Sequence, residues 1–100
     1  MINDNTLNFI RFSSGFNNLK QEELEAFVEN EIFELNEYNA SEGTQGKYFY
    51  TLEDVNTDGT LKSYIIECLK LSLQTRWGNN LEYHIDRKTK YLNKLTGMQV

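Results

Sequence analysis

The sequence predicts a single α+β domain over residues 1–100, with one long amphipathic acidic helix packed on a small antiparallel sheet. The order expected is β-α-β-β-β, with a short C-terminal helix. Three observations carry this. Apolar side chains recur at three- and four-residue intervals from Leu24 to Tyr38. Aromatic and β-branched residues crowd Lys47 to Val55 ahead of the turn-forming Asn56-Thr57-Asp58-Gly59. Leu81, Tyr83 and Ile85 alternate with Glu82, His84 and Asp86. A chain of 100 residues holds one core of useful size, and 39% hydrophobic residues are enough to fill it.

The first strand is expected at Asn8–Phe12, where side chains alternate until Ser13-Ser14-Gly15 breaks the run. The helix should begin at Asn18. An Asn can accept from the first free N–H groups, Gln21 can reciprocate, and Glu22 and Glu23 suit the positive end of the helix dipole. Leu24, Phe27, Val28, Ile32, Leu35 and Tyr38 then form the core stripe, into which Glu31 intrudes. Asn39 to Gly46 has the composition of a loop.

Lys47–Val55 and Thr60–Leu73 are expected as the arms of a hairpin, because Asp-Gly tolerates the positive φ that tight turns need. Thr60–Leu73 is ambiguous, since Ser63, Glu67, Lys70 and Gln74 also recur at helical spacing. Gly78-Asn79-Asn80 marks a further reversal into Leu81–Asp86, and the tail from Arg87 closes as a helix ending at Gly97.

Charge is divided along the chain. Residues 1–46 carry nine acids against Arg11 and Lys20, whereas residues 47–100 carry six acids against eight bases. The lone Cys68 closes no intrachain disulfide, and no apolar stretch nears the ~20 residues that span a bilayer, so a cytoplasmic protein with no membrane contact is expected.

Chemistry has few groups to work with. There is one His, one Cys and no glycine-rich phosphate loop, and the only nucleophile–base pair on offer is Cys68 with His84; the expectation is a protein that is not an enzyme and carries no cofactor. Asp54-Val55-Asn56-Thr57-Asp58-Gly59 resembles the first half of an EF-hand calcium loop, with Asp54, Asn56 and Asp58 as oxygen donors. Lys62 falls at a ligand position and Ile65 where the closing bidentate acid belongs, so the motif is incomplete.

Partner binding is the better-supported expectation. Phe33 falls opposite the core stripe, among Glu22, Glu25, Glu29 and Glu37, so burial of the ring on a partner would supply affinity while the carboxylates steer a basic surface. Small phage or mobile-element inhibitors, anti-CRISPR proteins and nucleic-acid mimics among them, share this size and acidity by analogy. The alternative is nucleic-acid binding through the basic, aromatic C-terminal third, with Arg76, Trp77, Arg87, Lys88, Lys90 and Tyr91 gripping phosphates and stacking on bases. The alternative for that same third is pairing with the acidic helix, either within one chain or between two copies in a homodimer.

Overall fold

The structure is a computed structural model that describes residues 1–16, 18–41, 49–73 and 81–97. Every regular element among them is a helix: α1 (Asp4–Ser14), α2 (Gln21–Ser41), α3 (Leu52–Thr57), α4 (Gly59–Leu73) and α5 (Leu81–Thr96). The α+β expectation is therefore corrected to an all-helical fold, since no strand occurs in the described residues.

At the expected first strand, α1 buries Thr6, Leu7, Ile10 and Ser14, a helical spacing that five alternating residues are too few to reveal. The Asn3 side chain accepts the Thr6 N–H at 2.8 Å to start the helix. Gly15, at φ 83°, ends it by donating its N–H to the Arg11 and Phe12 carbonyls. The long helix is present as expected, but its cap is Lys20, whose backbone N–H is accepted by Glu23 at 3.1 Å, and not Asn18.

The expected hairpin is a helix–helix junction. Thr51 donates its N–H to Asp54 Oδ2 at 2.8 Å and opens α3. Asp58, extended at φ −96° and ψ 107°, then accepts the Leu61 N–H at 3.1 Å and opens α4. Asp and Asn serve caps as readily as turns, and here capping wins. Of the strand expected at Lys47–Val55, residues 47 and 48 lie outside the described residues, as does the Gly78–Asn80 reversal.

Helix α4 is the centre of the molecule, touching α1, α2, α3 and α5. It buries Leu61, Tyr64, Ile65, Ile66, Cys68 and Leu69, nearly all the way round, which is why its sequence lacks a clean amphipathic period. Leu7, Ile10, Leu24, Val28, Ile32, Leu35, Val55 and Leu95 complete the core. The molecule measures 38 × 34 × 19 Å, so its thin dimension holds two layers of helices.

Helix α5 reverses the expected strand pattern. Leu81, Tyr83 and Ile85 are exposed, and His84 is buried. It lies against α4 and meets Glu67, a carboxylate only 3% exposed. Glu67 Oε1 lies 2.7 Å from His84 Nδ1, while Oε2 lies 3.3 Å from Arg87 Nε and 3.9 Å from Lys70 Nζ. The Arg87 guanidinium sits over the rings of Tyr83 and Tyr91, at 5.5 and 5.3 Å, and donates to both hydroxyls. At the far end of α5, the Tyr50 hydroxyl donates to the Leu95 carbonyl at 2.6 Å, and Asn36 of α2 holds the Tyr50 backbone through both its N–H and its C=O.

Removing one member of a buried ion pair strands the others. The cost is roughly 3–5 kcal/mol for fully buried groups, and less here because water reaches Arg87. Glu67→Gln is expected to lower unfolding free energy by about 2–3 kcal/mol in urea titrations. A loss below about 0.5 kcal/mol, the level of an exposed pair, would contradict this account of the interface.

Candidate functional site

Leu24, Val28, Ile32, Leu35 and Asn39 of α2 are buried, and at about 100° per residue this line points the opposite side of the helix outward. Phe33 stands in the middle of that outer side and is 63% exposed. Glu22, Glu29 and Glu37 beside it are exposed, and Glu25 is half-buried at the edge, accepting from Gln21 at 3.3 Å. None of these four carboxylates makes an ion pair among the described residues. The five residues thus share one surface on a continuous helix, an aromatic ring with negative charge on either side of it. Such a surface desolvates cheaply at its centre and attracts cations at its edges.

Glu31, the acid that breaks the core stripe, is half-buried against α4 and α5. Burial raises its affinity for a proton; a hydrogen bond with the Cys68 thiol and the nearby Lys88 ammonium oppose that rise. Cys68 is in turn pushed up to about 12, first by burial and then by the Glu31 charge, and Tyr64 beside it is raised too, again chiefly by burial. The thiol is therefore a neutral core group, not a nucleophile. His84 is committed to Glu67.

The C-terminal basic residues fare differently from those of α2. Arg87 and Tyr91 are bound to each other, and Arg87 also to Glu67; Lys88 is half-buried near Glu31. Lys90 and Lys94 are exposed, whereas Arg76 and Trp77 lie outside the described residues. Of the half-motif resembling a calcium loop, Asp54 and Asp58 each cap a helix. Asn56 holds the N-terminal segment instead, accepting the Asn3 N–H and donating to the Met1 carbonyl, both at 3.0 Å. An open depression of about 620 Å³ lies beside them, lined by Asp54, Thr57, Asp58, Gly59, Thr60, Ser63 and Tyr91. Among the described residues, no three His, Cys, Asp or Glu side chains gather as a metal site, and no helix is long and apolar enough to cross a membrane.

Two features escaped the sequence reading. Phe9 and Phe12 of α1 are exposed side by side, with Lys62 Nζ 5.9 Å from the Phe9 ring, and a strand assignment would have split them between two faces. The Glu67 node was also missed, although an acid interrupting an apolar run was its signal. No protein-family model, curated protein or solved structure matches the chain.

A carboxyl with raised proton affinity in the folded state makes that state bind more protons than the unfolded chain, so its contribution to stability falls as pH rises above the ordinary carboxylate range. Glu31→Gln is thus expected to raise the melting temperature at pH ~7 and to match wild type below pH ~4, where both side chains are neutral. Equal melting temperatures at both pH values would refute the assignment. Cys68 should react with a thiol reagent no faster than the protein unfolds; rapid labelling of native protein would show the thiol accessible.

Proposed function

We propose that this domain is a non-enzymatic binding protein, an adaptor or inhibitor, that docks the outer face of α2 on a basic surface of another protein. The observation that supports it is the 63% exposure of Phe33 at the centre of a helix face whose carboxylates pair with no cation among the described residues. Full burial of such a ring is worth about 1.5–3 kcal/mol. The surrounding acids act over the ~8 Å reach of charges at physiological ionic strength, favouring fast, salt-sensitive association with cationic partners. By contrast, the basic third spends Arg87 and Tyr91 on internal contacts, which leaves less of it for phosphate binding.

Quantitative affinity capture from cell extract tests the reading. A protein retained by wild type should be lost, at a cost of about tenfold or more in affinity, by the Glu29→Lys, Phe33→Ala double variant, and kept by Lys90→Glu. Retention by the double variant together with loss by Lys90→Glu would move the site to α5 and end the proposal.

A further inference from the structure

The shape of the α2 face says more about the partner than its sign does. Ala26, Phe33 and Ala40 are all exposed and fall at seven-residue spacing, with no bulky apolar neighbour beside them on that side of the helix. Seven residues advance a helix by about 10.5 Å and turn it only about 20° short of two full turns, so the three side chains form a nearly straight seam. A second helix crossing at about +20° stays in register with such a seam. Small residues on either side of a large one let the axes approach, with Phe33 as a single knob and Ala26 and Ala40 as the floors of two shallow holes. Glu22 and Glu29 flank the seam on one side and Glu37 on the other, and α2 contains no Lys or Arg, so the complement is cationic on both flanks.

We infer, resting on the docking role of this face, that its occupant is a cationic amphipathic α-helix of the partner laid along α2, with an apolar stripe receiving Phe33 and Lys or Arg on either flank. A groove evolved for DNA fits less well. One DNA strand presents a phosphate about every 3.4 Å along the axis, whereas Glu22, Glu29 and Glu37 are spaced by about 10–12 Å with a ring projecting between them.

The test uses the full chain and two synthetic peptides of about three heptads and identical composition. One places Leu as an apolar helical stripe flanked by Lys and Arg; the other has the same residues reordered so that no stripe forms. Fluorescence anisotropy should show the striped peptide binding at least about tenfold more tightly, with Phe33→Ala removing most of that difference, and circular dichroism should show the peptide gaining helix on binding. Equal affinity for both peptides overturns the inference. If that equal binding still weakens on Glu29→Lys, the acidic face remains a docking surface and only the helical partner is lost. Binding of neither peptide, or binding without gain of helix, also overturns it.

Discussion

Glu67 is a charge that the fold cannot leave unpaired. Placed where α5 crosses α4 and cut off from water, it holds His84 and Arg87 through separate oxygens, with Lys70 of its own helix nearby. Satisfying that carboxylate sets the rotation of α5, because His84 and Arg87 lie on one side of it and both must point inward. Ile85, well away from both, is turned outward by the same rotation. Stacking of Arg87 on Tyr83 and Tyr91 then draws the aromatic residues of α5 into the network.

The consequence is a division of labour between charges. Among the described cations of the C-terminal third, Arg87 is held by Glu67 and Lys88 lies near Glu31, whereas Lys90 and Lys94 are exposed. Among the described residues the outer carboxylates of α2 have no such partner, and their mutual repulsion is tolerated because they stand in water. A surplus of negative charge on one helix, together with an exposed ring at its middle, is the basis of the proposed docking face.

How far the sequence reveals this depends on the element. For α2 the 3.6-residue period runs over about four turns, so its buried stripe, the outward Phe33 and the intruding Glu31 were all legible. The C-terminal helix stop at Gly97, with φ 74°, was legible because glycine readily adopts the left-handed conformation that ends a helix. Elsewhere the signal was ambiguous in kind. Helix α4 is buried on almost every side, which erases amphipathic contrast, and α1 and the start of α5 each show five or six alternating residues that a helix accommodates equally well. Asn56 to Gly59 misled most, since the side chains that favour tight turns also cap helices, and only the neighbouring elements decide between them. The proposed docking residues share one face despite this change of fold class because they all lie on α2; the Glu67 node was invisible because it joins residues from two elements whose type was misjudged.

The central claim, that the outer carboxylates of α2 are unneutralised and mutually repulsive, is tested most directly by the salt dependence of folding stability. Added salt screens exposed charges over about 10 Å at 0.1 M, and scarcely touches the buried Glu67 pair. Unfolding free energy should therefore rise as sodium chloride is increased from ~0.01 to ~0.5 M, and the rise should shrink in a Glu29→Lys, Glu37→Lys variant. A free energy that falls with salt would mean that those glutamates are already paired within the molecule, and would contradict the account.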